Sequence, residues 1–274
     1  MSAPRPPGDP LPPDLADLGA HLTTHALGRD VVFVRSVDST MRVARDLAPT
    51  ALHGTLVLAD HQTAGRGRQG RTWDDAPGAA ILASLVVRLP PSVPPTRAVL
   101  ALAVGVADGL AALGLAARLK WPNDVRIGGR KVAGMLATGL LGGAGERREA
   151  TVVLGLGLNV HRASVPAALR ETATSVEDEV CDAPPTRAAV LAAVLNAAEP
   201  WIERAADARA LVARYTARLD GLGQPIALDT GAGERVTGTF EGVDDDGALR
   251  LRGPDGVVRR HHAGDVHTVP GGRT

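Results

Sequence analysis

Between residues 31 and 160 the chain is a succession of short apolar runs with only two helix-periodic stretches among them. Val31–Val34, Thr55–Ala59, Ala80–Val87, Arg118–Trp121, a run from Val125, Lys131 to about Leu141, and Ala150–Val160 all read as strands. Met41–Ala48 has helical spacing, and Thr96–Leu113 places Val99, Leu102, Val106, Leu110 and Leu113 on one helical face, with Thr96 as its start. Parallel neighbours need a crossover of a dozen or more residues, usually a helix, whereas antiparallel neighbours need only a turn. Strands in series with few helices therefore predict a mixed sheet flanked by helices, of the α/β (α+β) class, and exclude repeated βαβ units. Val125–Ala133 reads as a hairpin around Gly128-Gly129, and Gly142–Arg148 as a further turn.

The remainder divides at its punctuation. Residues 1–13 are Pro-rich and predicted disordered, and 14–22 have the pattern of a short helix. Helical spacing returns from about Thr186 and again over Ala206–Leu219. Gly221-Leu-Gly-Gln-Pro225 then marks a boundary, which gives one domain over 14–221 and a second over 222–274. In the second, Ile226–Asp229, Arg235–Phe240, Ala248–Leu251 and Val257–His261 are short strands between Gly and Asp turns, with the alternation a small barrel needs.

Composition narrows the function. Thirty Lys and Arg against 30 Asp and Glu leave no net field to draw the chain to nucleic acid or membrane. The single cysteine, Cys181, excludes an intramolecular disulfide framework and reads as a loop thiol. No apolar signal segment opens the chain and no uninterrupted apolar run of about 18 residues occurs, so a cytoplasmic protein without a membrane anchor is expected. Only two of the 30 basic residues are lysine, Lys120 and Lys131. In so Arg-biased a chain they mark places where a compact ammonium serves and a planar fork does not.

Chemistry concentrates in Gln62-Thr-Ala-Gly65-Arg66-Gly67-Arg68-Gln69-Gly70-Arg71-Thr-Trp73, which follows a strand. Glycines let backbone approach a ligand, and arginines present charged donor forks to carboxylate or phosphate. No Gly-Lys-Ser/Thr follows, so it is not a Walker A loop, and alone it also fits an RNA-binding Arg-Gly segment. Asp38, Ser39 and Thr40 precede the first helix as capping types, a position that also suits contact with a polar ligand group.

Asp-Ser-Thr (38–40), the Gln62–Trp73 stretch, Lys-Trp-Pro-Asn-Asp-Val (120–125), Lys-Val-Ala-Gly-Met-Leu (131–136) and Gly-Leu-Gly-Leu-Asn-Val (155–160) occur here in the order and spacing of biotin protein ligases. The chain resembles that family over residues ~30–270. The resemblance implies a mixed α/β catalytic domain and an SH3-like C-terminal barrel. It implies ATP and Mg²⁺ as co-substrate and metal, and biotin as the acid that is activated to biotinyl-5′-adenylate. The acceptor it implies is a lysine of a biotin carboxyl carrier protein or domain. Some relatives carry an N-terminal helix-turn-helix; about 28 residues before the first strand leave no room for one, so no DNA binding is expected. A monomer or weak homodimer is expected.

Site roles follow from the same resemblance. Ser39, Thr40, Gln62, Gly65, Arg66, Gly67, Arg68 and Lys120 would contact biotin, and Arg71, Trp73, Asn123, Asp124, Lys131 and Asn159 the nucleotide. Lys120 is the first choice for the catalytic cation, with Arg68 and Lys131 beside it. Asp124 and Asn159 would touch Mg²⁺, and Asp124 is the nearest base for the incoming lysine. Residues 65–72 would act as a lid that ligand orders. Where the family usually has Asn after the Ser-Thr pair this chain has Met41, so one polar contact at the biotin end is missing. A lipoate or octanoate ligase or transferase of the same fold is the rival enzyme, and an RNA-binding module the rival from another class. His261, His262 and His267 read as surface histidines, and Asp244–Gly247 as a hairpin turn.

Overall fold

The computed structural model describes residues 8–140, 149–181, 183–230 and 233–268. The expected turn at Gly142–Arg148 lies outside these residues. A seven-stranded mixed sheet runs in the order β1 (Val31–Val37), β2 (Thr55–Gln62), β3 (Ala80–Leu89), β7 (Ala150–Asn159), β6 (Arg130–Leu140), β5 (Asp124–Ile127), β4 (Arg118–Lys120). Only β1 and β2 pair parallel, joined across the helix at Thr40–Leu47 (α2, after the short α1 at Leu18–His21); every later pair is antiparallel. This is the mixed sheet that the spacing of the apolar runs requires. The β5–β6 hairpin turns at Gly128 and Gly129, both at positive φ (56° and 80°), as a two-residue primed turn demands.

One face of the sheet is covered by α3 (Pro95–Ala112) and α5 (Arg187–Glu203), with α6 (Ala208–Ala217) packed on α3 and against the second domain, and the short α4 at Val176–Glu179. α3 is long and apolar enough to cross a membrane by composition, yet most of it is buried between sheet and α5. Its glycines set the distance to α5. A Cβ on Gly105 would lie 2.4 Å from Ala198 Cα, and one on Gly109 2.7 Å from Val194 Cα. Thr96 does not cap this helix. Pro94 and Pro95 start it, the N1 proline giving up an N–H that would be unsatisfied anyway, and the Thr96 hydroxyl donates instead to Asp246 O at 2.7 Å.

Residues 8–13, expected to be disordered with the rest of 1–13, run beside β1. Asp9 N donates to Phe33 O and Arg35 N donates to Asp9 Oδ2, each at 2.8 Å. β1 is an edge strand, and backbone groups on its outer side hold this segment. Behind it, buried Arg187 meets Asp14 at 2.6 Å and Asp60 at 2.8 Å.

Glu199 of α5 is a second buried anchor, accepting the backbone N–H groups of His25, Ala26 and Leu27 at 2.6, 2.8 and 2.9 Å. Burial raises its pKa, but the three N–H donors outweigh that and hold it below the ordinary value. The stability it contributes is therefore complete above the unfolded carboxyl pKa (~4.3) and is lost as pH falls through the lower folded value. Glu199→Ala leaves three donors without an acceptor and is expected to cost about 3 kcal/mol, lowering Tm by roughly 6–12 °C in a thermal melt at pH 7. At a pH well below 4 the difference from the unsubstituted chain is expected to shrink.

The tail forms a five-stranded antiparallel sheet, β11-β10-β9-β8-β12, from β8 (Pro225–Asp229), β9 (Arg235–Val243), β10 (Leu249–Arg252), β11 (Val258–His261) and β12 (Asp265–Thr268). It is the SH3-like domain expected, with one strand more, since β12 pairs with β8. The Asp244–Gly247 turn docks on the first domain. Trp121, 2% exposed, donates Nε1 to Gly247 O at 2.9 Å, and Arg97 Nε donates to Asp245 O at 2.9 Å.

Candidate active site

The Gly-Arg loop is closed at its base by backbone bonds. Trp73 N donates to Gly65 O at 3.0 Å, Gly67 N to Arg71 O at 2.7 Å, and Arg66 pairs with Thr72. Gly65 allows this closure, because a Cβ there would lie 2.6 Å from Trp73 O. The Asp75 carboxylate, fully buried, ties the loop to β2 by accepting Gln62 N at 3.0 Å and meeting His61 Nδ1 at 2.5 Å. Gln69 at the tip has a positive φ of 56°, a conformation non-glycine residues seldom take outside turns. Arg71 forms an ion pair with Asp265 of β12, and Arg68 Nη1 lies 3.3 Å from Gly264 O and 3.5 Å from Asn123 Oδ1. The second domain thus seats the loop.

Beneath it lies a cavity of about 540 Å³, bounded by the loop, the start of α2, and β5, β6 and β7. Its floor is glycine. A Cβ on Gly157 would come 2.7 Å from the Trp73 ring, one on Gly134 3.0 Å from Lys131 Nζ, and one on Gly155 2.8 Å from Met41 Sδ. Trp73 rests on β7, with Lys131 Nζ 5.5 Å from its ring centroid; its Nε1 is buried with no hydrogen-bond partner among the described residues. Lys131 Nζ also pairs with Asp124 Oδ1 at 2.8 Å.

At the other end of the cavity the polar set is fixed by α2 and β2. Gln62 Oε1 accepts Thr40 N at 2.8 Å and the Thr40 hydroxyl at 3.2 Å. Ser39 occupies the N-cap of α2, but its side chain makes no capping bond; Asp38 instead accepts Ser39 N and pairs with Arg42. Ser39 and Gln62 both line the cavity.

The structure gathers Ser39, Thr40, Gln62, Arg66, Gly67, Arg68, Arg71, Trp73, Asn123, Asp124 and Lys131 around this one space. Three expected members fall outside its lining. Gly65 serves the loop closure through its backbone. Lys120 lies on β4 directly opposite Asp124 of β5 and on the same face, close enough to the cavity residues Asp124, Asp265 and Lys131 for their charges to act on it. Burial and the nearby Arg126 charge lower its pKa, against the raising effect of Asp124 and Asp265. Asn159 is buried and donates Nδ2 to Thr174 O at 3.0 Å.

That placement bears on the magnesium site assigned to Asp124 and Asn159. The Asn159 amide is turned into the fold, Asp124 is held by a cation, and no group of three or more His, Cys, Asp or Glu able to hold a metal occurs among the described residues. Of the two residues assigned to magnesium only Asp124 lines the cavity, and it would meet a nucleotide-borne Mg²⁺ through one carboxylate oxygen, with phosphates and water supplying the other ligands.

Sequence reasoning left out Asp265, Asp75, and Gly155 and Gly157 as individual site residues. The alternating glycines of β7 carry a signal, since glycine inside a strand marks close approach by something else. Asp265 carries none, because its role depends on domain docking. Charge at the mouth is dominated by cations. Burial lowers the pKa of Arg68, opposed by Asp265 and Asp124; burial raises that of Asp265, but the Arg71 hydrogen bond and charge bring it below the ordinary carboxyl value. The cavity is thus an anion receiver with a small uncharged polar end, a glycine floor and a Trp wall.

Comparison with known proteins agrees with that character. Residues 33–159 match the Biotin/lipoate A/B protein ligase family and residues 221–267 the Biotin protein ligase C terminal domain. The chain is 40% identical over 230 residues to the biotin–[acetyl-CoA-carboxylase] ligase of Paracoccus denitrificans, covering 80% of this chain and 92% of that one. It is 34% identical over 260 residues to the bifunctional ligase/repressor BirA of Bacillus spizizenii, covering 88% and 75%. A structure of the biotin protein ligase from Aquifex aeolicus in complex with biotin and ATP shares the fold, with a TM-score of 0.71 at 24% identity over 87% of this chain and 98% of that one. By domain pair, by relatives matched over most of their length and by fold, the chain belongs to the biotin protein ligase family.

Proposed function

We propose that this chain is an ATP-dependent biotin protein ligase that makes biotinyl-5′-adenylate and transfers the biotinyl group to a carrier-protein lysine. The observation that carries the reading is the convergence of Arg66, Arg68 and Lys131 on a glycine-floored cavity whose far end is the Thr40–Gln62 pair. An acid with a polar, uncharged head and a terminal carboxylate matches that polarity: the ureido ring at Gln62 and Ser39, the carboxylate under the arginines. The carrier would be a biotin carboxyl carrier domain in the cytoplasm, as the carboxylase-ligase relative suggests.

In the first step a carboxylate oxygen bonds to the α-phosphorus of ATP while the bond from that phosphorus to the bridging oxygen breaks, and pyrophosphate leaves with the electron pair. Two anions must meet, at a repulsion of about 1–4 kcal/mol at 4 Å in water-like to surface-like dielectric. Lys131 and Arg68 offset this and the charge that develops at phosphorus. In the second step the lysine nitrogen attacks the acyl carbon, the C–O bond to phosphate breaks and AMP leaves. Asp124 is spent on Lys131, so its task is to position that ammonium, and an adenylate phosphate oxygen is the acceptor for the amine proton. Trp73 on its glycine shelf and the loop exclude water from the mixed anhydride.

The lipoate or octanoate reading is disfavoured because a linear chain leaves the Gln62 donors unpaired, and sites built for a polar group reject analogues that lack it. ATP–pyrophosphate exchange with biotin, lipoate and octanoate offered in parallel tests this. Exchange is expected with biotin and below roughly 1% of that rate with the other two. Exchange with lipoate but not with biotin overturns the reading.

A further inference from the structure

Ser84 lies on β3, opposite Val57 of β2 and Gly155 of β7, and its side chain is fully buried. Its hydroxyl meets the Thr40 hydroxyl at 2.9 Å. We propose that Ser84 is a positioning residue that sets selectivity for the ureido ring, by holding the Thr40 hydroxyl on Gln62. The proposal rests on the ligase reading and deepens it.

The Thr40 backbone N–H, 2.8 Å from Gln62 Oε1, requires the amide oxygen on that side, since the reversed amide would set donor against donor. The Thr40 hydroxyl, 3.2 Å from the same oxygen, has one proton and gives it there. Its lone pairs then need a donor, and Ser84 O–H supplies one. The relay therefore runs one way, from Ser84 to Thr40 to Gln62. Thr40 is 2% exposed and Ser84 0%, so neither hydroxyl has bulk water to fall back on. Gln62 is left with its NH₂ group turned away from Thr40, near Gly65, as a donor for a ligand carbonyl. Without Ser84, a lone pair of Thr40 is buried unsatisfied and its hydroxyl is free to rotate off Gln62. The amide then keeps one tether instead of two.

A ureido carbonyl feels that change, and a linear acyl chain, which asks nothing of Gln62, does not. Ser84→Ala is expected to raise the KM for biotin in ATP–pyrophosphate exchange about tenfold. The KM for ATP and the Ki of octanoate as a competitor are expected to stay within about twofold. In a Gln62→Ala background, Ser84→Ala is expected to add less than about twofold, because the two act through one interaction. Ser84→Cys keeps the buried volume with a weak donor, so it is expected to move the biotin KM the same way by a smaller factor; it carries the test if Ser84→Ala does not fold. An unchanged biotin KM overturns the proposal. So does a parallel rise in biotin KM and octanoate Ki, which would report a general cavity defect, or full additivity with Gln62→Ala. A failure of the ligase reading is separable, because the unsubstituted chain would then show no biotin-dependent exchange.

Discussion

Replacing Lys131 with methionine is expected to lower kcat for biotin-dependent ATP–pyrophosphate exchange by about 10²–10³-fold, and Lys120→Met by no more than about tenfold. The two lysines are equal candidates as residue types, and position separates them. Lys131 lines the cavity, fixed 2.8 Å from Asp124 and above the Trp73 ring, whereas Lys120, on the neighbouring strand opposite Asp124, makes no ion pair among the described residues. Loss of Lys131 does more than remove a cation. It leaves the Asp124 carboxylate uncompensated beside the place where two further anions must meet. The double variant Lys131→Met/Asp124→Asn is therefore expected to recover several-fold over Lys131→Met alone, although it lacks one more polar group. Lys131→Arg is not a conservative change, since a planar fork cannot reproduce a compact ammonium between carboxylate and ring; a loss of at least about tenfold is expected. A Lys120→Met defect equal to that of Lys131→Met would return Lys120 to the centre of the reaction.

The choice between the lysines shows where reading from sequence stops. The hairpin that carries Lys131 was legible, because Gly128-Gly129 at a two-residue turn has one common geometry. The side of that hairpin that meets the loop depends on packing between residues far apart. Asn159 is the sharper case. Strand periodicity puts Gly155, Gly157 and Asn159 on one face, which is the cavity face for the two glycines. The segment at 172–174 then folds back alongside Lys131, with Lys131 N donating to Thr172 O and Thr174 N to Lys131 O, each at 2.8 Å. Its Thr174 carbonyl takes the Asn159 amide. Local pattern puts the three on one face, and a long-range return covers the last position. β12 escaped notice for a related reason: four residues with one apolar member, Val266, carry little periodicity, and pairing with β8 supplies what the pattern does not. The Gly-Arg loop, by contrast, could be singled out from composition alone, but only the other motifs separated a small-anion site from an RNA-binding segment.

Gly157→Ala is expected to raise the KM for biotin by roughly 10–100-fold while shifting Tm by less than about 4 °C. The added methyl would lie 2.7 Å from Cε2 and Cζ2 of Trp73 and 3.0 Å from Cδ2, so one of the two must move. The strand cannot, because Gly157 is paired with Leu82 of β3 on one side and Gly134 of β6 on the other. The ring must rise instead, and what lies above it is the cavity, so the strain is relieved into the ligand's space and not into the core. Lys131, stacked over that ring, would be displaced with it, so kcat is expected to fall as well. Gly155→Ala makes an informative contrast. Its methyl would meet Met41 Sδ at 2.8 Å, but a thioether on three rotatable bonds can swing aside where an indole cannot. A smaller rise, of a few-fold, is expected there, and Met41→Ala is expected to remove most of it. Equal defects from the two alanines would mean that the floor acts by total volume. A Gly157→Ala chain with an unchanged biotin KM would mean that the Trp73 ring does not rest on β7 when the acid is bound.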